Sequence, residues 1–335
     1  MLPTIYQKLT ATRHSKNFRE AVEILETALL PPAADEVIIR NLYAGVNASD
    51  VMMAAGQYLL PTPIPCDMGG EAVGEVVAIG ENVELLKVGD NVLTNFIGAG
   101  YREYYTTKAQ RAVQIPEASP EIMSLSIGGL TASLGLETAG EMKSGETVLV
   151  TAAAGGTGQF AVQLAKLAGN HVIGTCSSDN KADLLRSLGC DRVINYKTEN
   201  LRDVLKAEYP RGINIIFEGV GTAQFDAAVD SLARFGRLVT IGFISEYKDQ
   251  PDMITSPRIY YKILGKNASI KGFNLNLWFN RPETSQHLMK LVGLLNEGKI
   301  NPIIDSTVFR GVAGCVDAVE YLQSGANSGK VVVRF

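Results

Sequence analysis

The sequence predicts an α/β fold, with a doubly wound parallel sheet in one domain and a mainly β second domain. The chain has 335 residues, enough for about two domains at roughly 150 residues each, and 46% of its residues are hydrophobic. Its first part consists of short strand-like runs between glycines and prolines, and after residue 120 apolar runs alternate with helix-length segments. That alternation is typical of βαβ units.

Short strand-like runs characterise the first part of the chain. They lie at residues 36–42, 71–79 and 87–95. Two further runs near the end of the chain, at 306–310 and 330–334, are expected to return to this domain and complete it. We therefore predict a discontinuous, mainly β domain of residues 1–122 and 299–335 and an α/β domain of residues 123–298.

Compact apolar runs in the second part have the length of buried parallel strands. They are residues 147–151, 171–175, 192–195, 213–217, 237–242 and 269–273. Helix-length segments separate them, such as 156–168, in which Phe160, Leu164 and Leu167 share one face. This order predicts a Rossmann sheet, which binds nucleotides at the carboxyl ends of its strands.

Charge and cysteine content limit the classes of partner. The chain has 31 Lys and Arg residues against 35 Asp and Glu residues, a net charge of −4, without a basic block for nucleic acid. No apolar stretch approaches the roughly 18 residues of a membrane span, and the first residues do not form an export signal. The four cysteines lie far apart, which fits a reducing compartment. We expect a cytoplasmic protein with a small-molecule partner and neither a nucleic-acid nor a membrane partner.

The strongest local motif is the glycine-rich segment at 148–159. Ala153, Gly155 and Gly158 follow an apolar run and open a helical segment, as in the dinucleotide-binding fingerprint with alanine at its first position. Gly155 and Gly156 would let backbone N–H groups approach a pyrophosphate, and Gly158 would let the helix pack closely on the strand. A tight turn that binds nothing is the alternative, but the βαβ context favours nucleotide binding.

The strand run at 171–175 indicates that the nucleotide is NADPH. An acidic residue about 20 positions after the glycines would hold the ribose 2′-hydroxyl of NAD, but no carboxylate occupies this strand tip. The Ser177 hydroxyl and the Lys181 ammonium could hold a 2′-phosphate instead. Tyr196 follows the next strand and could reach the same phosphate. There are two alternatives to this assignment. Lys181 and Tyr196 could be surface residues without a cofactor role, or Asp179 could be the acid that holds the ribose of NAD, displaced into the loop.

Longer motifs occur in order along nearly the whole chain. The substrate-domain motifs are GVNASD at 45–50, GGEAVGEVV at 69–77 and VGDNV at 88–92. The later motifs are the glycine loop, GTCSS at 174–178, LGCD at 188–191, INYK at 194–197 and IGFIS at 241–245. Together they resemble the medium-chain dehydrogenase/reductase superfamily, and most closely its zinc-independent branch of quinone oxidoreductases and prostaglandin reductases. The resemblance implies a Rossmann NADP-binding domain and a GroES-like, mainly β substrate domain.

The resemblance also bears on zinc. In the alcohol dehydrogenases related to this branch, a cysteine ligand stands where this chain has Asn47, and a histidine ligand stands where it has Gly70. No cysteine occurs between residues 67 and 175, so the four-cysteine structural zinc lobe is missing too. Zinc needs about four nitrogen or sulfur donors, so we expect no metal.

The chemistry expected without a metal is reduction of a conjugated carbon–carbon double bond. Hydride addition to the β-carbon of an enone leaves an enolate that one or two hydrogen-bond donors can stabilise. The resemblance implies that Tyr247 lies near the nicotinamide ribose and the substrate oxygen, and Asn47 is a second candidate donor. Solvent would protonate the α-carbon. The alternatives are that Tyr247 packs on the surface and that Asn47 only forms a turn.

Further site residues follow from the resemblance, motif by motif. Tyr58 is assigned to the substrate site. The cofactor contacts, besides those already named and Tyr247, are Thr157, Gly219, Ile241, Phe273, Asn274, Leu275 and Asn327. We expect the segment 244–259 and the neighbourhood of Trp278 to set the substrate range.

The function predicted from these features is NADPH-dependent reduction of 15-oxo-prostaglandin-like or other lipid-derived enones. A quinone reductase with the same site is one alternative. A protein that binds NADPH without turning it over is another. The resemblance also implies a homodimer formed through edge strands of the nucleotide-binding domain.

Overall fold

The structure, a computed structural model, describes residues 2–246 and 259–335. It divides the chain into two compact units. The first unit comprises Met1–Ile127 and Ile304–Phe335, and the second comprises Gly128–Ile303. The sequence prediction placed these divisions after residues 122 and 298.

Strands dominate the first unit. Numbered along the whole chain, they are β1 (Ile5–Ala11), β2 (Val22–Ala28), β3 (Glu36–Gly45), β4 (Cys66–Asp67), β5 (Ala72–Ile79), β6 (Asn91–Thr94), β7 (Tyr104–Lys108), β8 (Val113–Gln114), β15 (Phe309–Arg310) and β16 (Val332–Arg334). The helices of this unit are α1 (Phe18–Ala21), α2 (Ala48–Ala54), α3 (Pro120–Ser124) and α11 (Gly311–Ser324). Among the described residues, β15, β16, β3, β5, β6 and β8 form one sheet in that order, β7 also pairs with β3, and β2, β1 and β4 form another.

Strand β3 is central to the larger sheet and positions the first candidate site. Val37 and Ile39 of β3 are buried against Val76 of β5, in one apolar cluster. Strands β16 and β5 flank β3 on opposite sides and both run antiparallel to it. The end of β3 therefore lies beside the starts of β5 and β16, although the three segments are far apart in the sequence.

The predicted run at 87–95 is too long. Its first residues form a turn, in which the Asp90 backbone N–H donates to the Lys87 carbonyl at 3.1 Å and the Asp90 carboxylate accepts from the Lys87 N–H at 3.0 Å. Strand β6 therefore begins only at Asn91. The strand runs also missed β1, β2, β4, β7 and β8, which lie outside the predicted ranges.

The second unit is a layered α/β structure. Its strands are β9 (Thr147–Val150), β10 (His171–Cys176), β11 (Arg192–Asn195), β12 (Ile213–Glu218), β13 (Leu232–Thr240) and β14 (Ser269–Gly272). Its helices are α4 (Leu130–Leu134), α5 (Gly158–Leu167), α6 (Asp179–Ser187), α7 (Leu201–Glu208), α8 (Thr222–Asp230), α9 (Ile259–Leu264) and α10 (Pro282–Asn296). Short 3₁₀ turns at Ile244–Glu246 and Leu275–Leu277 and a π-helical turn at Gly135–Ala139 complete it.

The strand order of this unit confirms the predicted Rossmann sheet. Within the described ranges, the order is β11-β10-β9-β12-β13-β14, with every neighbouring pair parallel. This is the doubly wound order: from the first strand, β9, the chain adds β10 and β11 on one side and then β12, β13 and β14 on the other side. Val148, Leu149 and Val150 are fully buried, as a strand covered on both faces requires. Strand β13 starts earlier than predicted, through an irregular pairing with β12.

No helix of the described ranges is long and apolar enough to cross a membrane.

Candidate active site

The glycine loop between β9 and α5 has the close packing that a dinucleotide cradle needs. A Cβ on Gly158 would lie 2.7 Å from the Ala153 Cα and 2.8 Å from its carbonyl oxygen, so only glycine fits there. A Cβ on Gly155 would meet only the Ala152 carbonyl, at 3.3 Å. Thr157 precedes α5 and its side chain does not cap the helix. Gly158 therefore fixes the helix on the sheet, and Gly155 keeps the loop surface open.

The carboxyl ends of β10 and β11 bring together the residues predicted to hold a 2′-phosphate. The Tyr196 backbone N–H donates to the Cys176 carbonyl at 3.1 Å, which ties the two strand ends together. Ser177 follows Cys176 directly, and the Tyr196 side chain is exposed. Helix α6 starts here, and the Ser178 hydroxyl accepts from the Lys181 backbone N–H at 3.4 Å. The alternative acid, Asp179, accepts a hydrogen bond from Asn195 at 3.0 Å.

The end of β12 carries a buried carboxyl that the sequence analysis did not identify. One Glu218 oxygen accepts from the backbone N–H groups of Val220 and Gly221 at 2.8 and 3.1 Å. Burial raises the pKa of Glu218, while these two hydrogen bonds oppose the shift. Glu218 thus organises the loop that contains Gly219, whose Cβ would lie 3.3 Å from Ile241. An acidic residue at the tip of an apolar strand run was the available signal.

The predicted cofactor contacts after β14 lie in a compact segment. The side chains of Phe273 and Leu275 are 7% and 8% exposed, so they pack inside the second unit. Phe273 stacks on Trp278 with ring centroids 5.8 Å apart. The Asn274 side chain accepts from the Asn276 backbone N–H at 3.1 Å. Tyr247, the predicted catalytic tyrosine, lies outside the described residues, as does most of the segment 244–259.

In the first unit, three adjacent strands place a polar cluster around Asn47. Asn47 follows β3, Glu71 precedes β5 and Lys330 precedes β16. The Lys330 ammonium donates to the Asn47 Oδ1 at 2.7 Å and forms an ion pair with Glu71. The Asn47 Nδ2 donates to Glu71 at 3.0 Å, and the Ser126 hydroxyl donates to the other Glu71 oxygen at 2.6 Å.

Glu71 and Lys330 were missed as site residues by the sequence analysis. The available signal was a lysine next to the apolar run at the end of the chain. Tyr58 and Asn327, which were predicted, also lie in this unit. Tyr58 packs partly against an apolar cluster, and the buried Asn327 donates to the Gly329 carbonyl at 3.0 Å.

The polar cluster does not suit zinc. The Asn47 oxygen already accepts from the Lys330 ammonium, and a carboxamide is not among the usual side-chain ligands of zinc. Gly70, at the second ligand position, has no side chain to contribute. Within the described ranges, no group of three histidine, cysteine, aspartate or glutamate side chains could hold a metal ion.

Another buried carboxyl, that of Asp50 in α2, lies next to the polar cluster around Asn47. Its Oδ2 accepts from the Tyr101 hydroxyl at 2.6 Å and from the Asn47 backbone N–H at 2.9 Å. Its Oδ1 has no hydrogen-bond partner among the described residues. Burial raises the pKa of Asp50 to about 6, although both hydrogen bonds act in the opposite direction.

Asp50 should make the protein less stable as the pH rises through 6. The pKa of Asp50 in the folded state exceeds the usual value of 3.8, so the folded chain binds this proton more tightly than the unfolded chain does. The stability that this proton contributes is lost as the pH rises from about 4 to 7. Between pH 5 and pH 8 the expected loss is about 1.4 kcal/mol, roughly one pKa unit. Free energies of unfolding from urea titrations at both pH values should show this loss in the wild type. The Asp50→Asn variant should lack it, and an equal pH dependence in both proteins would contradict the assignment.

Comparisons with known proteins show the family of the chain. The alcohol dehydrogenase GroES-like domain family matches residues 33–117, and the zinc-binding dehydrogenase family matches residues 156–293. The chain is 42% identical to prostaglandin reductase-3 of Mus musculus over 340 aligned positions, which cover 99% of this chain and 90% of that protein. It is 41% identical to a probable quinone oxidoreductase of Leishmania amazonensis, with 99% and 98% covered.

A solved structure has the same fold. The Escherichia coli quinone oxidoreductase complexed with NADPH superposes with a TM-score of 0.85 and 27% sequence identity, covering 98% of this chain and 100% of that one.

Proposed function

The chain belongs to the medium-chain dehydrogenase/reductase family, and from this premise we propose that it is an NADPH-dependent reductase of α,β-unsaturated ketones that works without zinc. The substrates proposed are 15-oxo-prostaglandin-like or other lipid-derived enones. The observation that carries this proposal is the Asn47 cluster, in which a buried ammonium group bonds to a carboxamide at 2.7 Å. By resemblance, this carboxamide stands at the position of a cysteine ligand in metal-dependent relatives. A hydrogen-bond donor held in a fixed orientation suits an enolate oxygen.

The glycine loop and the ends of β10 and β11 support NADPH as the cofactor. Gly155 leaves room for the pyrophosphate at the N-terminus of α5. Ser177, Lys181 and Tyr196 would hold the 2′-phosphate, because Asp179 is already bonded to Asn195 and does not occupy the strand tip. When bound, NADPH would supply a hydride for the β-carbon of the enone.

The chain's own residues would stabilise the charge that develops on the substrate. As the β-carbon gains the hydride, the electron pair of the double bond moves toward the carbonyl and an enolate forms. Asn47 and Tyr247 would donate hydrogen bonds to the enolate oxygen, and solvent would supply the proton to the α-carbon. Preorganised donors of this kind contribute about 2.7–4 kcal/mol each in well-studied enzymes.

Quinone reduction is the second candidate. It is favoured by the 41% identity to a probable quinone oxidoreductase over nearly all of both chains. The same donors could stabilise a hydroquinone oxygen, so the polar cluster alone does not separate the two substrates.

Turnover of an enone and a quinone should be compared directly by following NADPH consumption. We expect a higher kcat/KM for the enone, and we expect Tyr247→Phe to lower kcat for the enone at least about tenfold, or about 1.4 kcal/mol. The matched control is Tyr209→Phe, because Tyr209 directly follows α7 and its hydroxyl lies 3.0 Å from the His171 ring nitrogen, outside the proposed site. Turnover of the quinone alone would favour the second candidate. Tight NADPH binding without turnover of either substrate would indicate a binding protein.

We also propose a homodimer formed through edge strands of the nucleotide-binding domain, as the resemblance implies, in a reducing compartment such as the cytoplasm. Strand β14 is an edge strand of the described sheet. Tyr260, Tyr261 and Leu264, on the helix preceding it, are exposed apolar residues of the kind found at subunit interfaces. The cysteines Cys66, Cys176, Cys190 and Cys315 are free thiols, which is typical of reducing compartments.

A further inference from the structure

The innermost part of the Asn47 cluster is a buried ion pair. Lys330 is 2% exposed and Glu71 is fully buried. Removing both charges from water is costly, and apolar residues of the same size often stabilise a fold equally well. Stability alone is therefore a weak explanation for a lysine and a glutamate at these positions.

The ion pair fixes the orientation of the Asn47 carboxamide. Its Oδ1 accepts from the Lys330 ammonium and its Nδ2 donates to the Glu71 carboxylate. If the carboxamide flipped, its NH₂ group would face the ammonium and its oxygen would face the carboxylate, and both contacts would be repulsive. Only one orientation is compatible with the pair.

This orientation leaves one Nδ2 proton of the half-buried Asn47 without a close acceptor among the described residues. Asn47 is half-buried, whereas both charged partners are buried. One Nδ2 proton goes to Glu71 at 3.0 Å, and for the other the described part of the chain offers the Gly45 carbonyl at 3.5 Å, which is long for a hydrogen bond. That second proton can be donated to a substrate oxygen.

The backbone around Lys330 is itself anchored. Asp305 accepts from the Ser328 backbone N–H at 2.8 Å, and its own N–H donates to the Lys330 carbonyl at 2.9 Å. The Lys330 side chain therefore starts from a fixed point at the beginning of β16, and the ammonium has little freedom to leave Asn47.

We propose that Lys330 is a positioning residue for the reduction: its ammonium group, paired with Glu71, orients and polarises the Asn47 carboxamide for donation to the substrate oxygen. A hydrogen bond from a cation to Oδ1 withdraws electron density from the amide and makes Nδ2–H a stronger donor. The inference rests on the proposed function, in which Asn47 faces the oxygen that becomes negative.

The test replaces both charges with groups of similar size, in the double variant Glu71→Gln plus Lys330→Met. Lys330→Met alone would leave an unpaired buried carboxylate and could fail to fold, whereas the double variant leaves no buried charge unpaired. We expect the double variant to lower kcat for the enone about tenfold or more, with the Kd for NADPH unchanged within about twofold.

Adding Asn47→Ala to the double variant distinguishes a role of Lys330 in positioning Asn47 from a general effect on the structure. If Lys330 acts through Asn47, neutralising the pair in an Asn47→Ala background should cause no further loss of kcat. The matched control is Arg237→Met plus Glu146→Gln, which neutralises another shielded ion pair, 2.7 Å long, in the second unit. It should change the melting temperature and leave kcat unchanged. An unchanged kcat in the first double variant, or the same loss without Asn47, would overturn the proposal.

A readout without turnover separates this inference from the proposed function. In ¹⁵N-asparagine-labelled protein, the Asn47 side-chain NH₂ signals, assigned by their loss in Asn47→Ala, should shift and move closer together when the pair is neutralised. Absence of enone and quinone turnover in the wild type would refute the proposed function. Asn47 signals that do not change between the wild type and the double variant would refute the inference in either case.

Discussion

Gly158→Ala is expected to lower both the stability of the protein and its affinity for NADPH. The added Cβ would lie 2.7 and 2.8 Å from two backbone atoms of Ala153, so α5 must move away from the glycine loop. Overpacking of this kind costs about 1–3 kcal/mol, and the shift would displace the helix N-terminus from the pyrophosphate. We expect a melting temperature lower by several degrees and a Kd for NADPH raised at least about tenfold. Thermal unfolding and fluorescence titration measure the two effects.

Two other glycines provide matched controls for Gly158. Gly155→Ala should weaken NADPH binding with a smaller loss of stability, because its Cβ would meet only one backbone atom, at 3.3 Å. Gly293 lies in α10, and a Cβ added there would have no atom within 4 Å. Gly293→Ala should therefore raise the free energy of unfolding by up to about 1 kcal/mol through helix propensity. If Gly158→Ala kept both its melting temperature and its affinity, the close packing of α5 on the loop would be refuted.

The sheet of the second unit could be predicted because most residues of β9, β10, β11 and β12 are buried. Such strands are continuous apolar runs, as at Val148, Leu149 and Val150, and the helices between them have clear periodicity. The strands of the first unit have mixed composition. Strand β2 alternates exposed and partly buried residues, and β8 is exposed, so neither has a strong apolar signal. Turn hydrogen bonds such as those between Lys87 and Asp90 set strand ends that hydrophobicity does not reveal.

The residues of the candidate site also differ in how far the sequence alone predicts them. The glycine loop and the Ser177 region are each contiguous in the sequence, so local motifs are sufficient to propose them as cofactor contacts. Glu71 and Lys330 come together only because β16 and β5 both pair with β3. Local patterns carry no information about that pairing, and a buried ion pair is not expected from two charged residues far apart in the sequence. The partners of Asn47 therefore required the structure.

Lys181→Asp is expected to reverse the preference for a phosphorylated cofactor. The change removes a cation next to the predicted 2′-phosphate and places an anion there, where a charged hydrogen bond is worth about 1.5–3 kcal/mol. The KM for NADPH should rise about tenfold to a hundredfold, and the KM for NADH should change little. The fold should tolerate the aspartate, because position 181 lies in the first turn of α6, where a negative charge interacts favourably with the helix dipole. Steady-state kinetics with both cofactors measure the change.

The control for this prediction is Lys206→Asp, the same charge reversal at an exposed position of α7. Long-range electrostatics alone would affect both variants to a similar degree, whereas a direct phosphate contact would affect only Lys181. Equal changes for NADPH and NADH in Lys181→Asp would refute the contact. A wild-type preference for NADH would instead point to Asp179, which would then have to exchange its hydrogen bond from Asn195 for one from the ribose 2′-hydroxyl. The ratio of the two cofactor effects thus separates a phosphate-binding lysine from a ribose-binding aspartate two residues away.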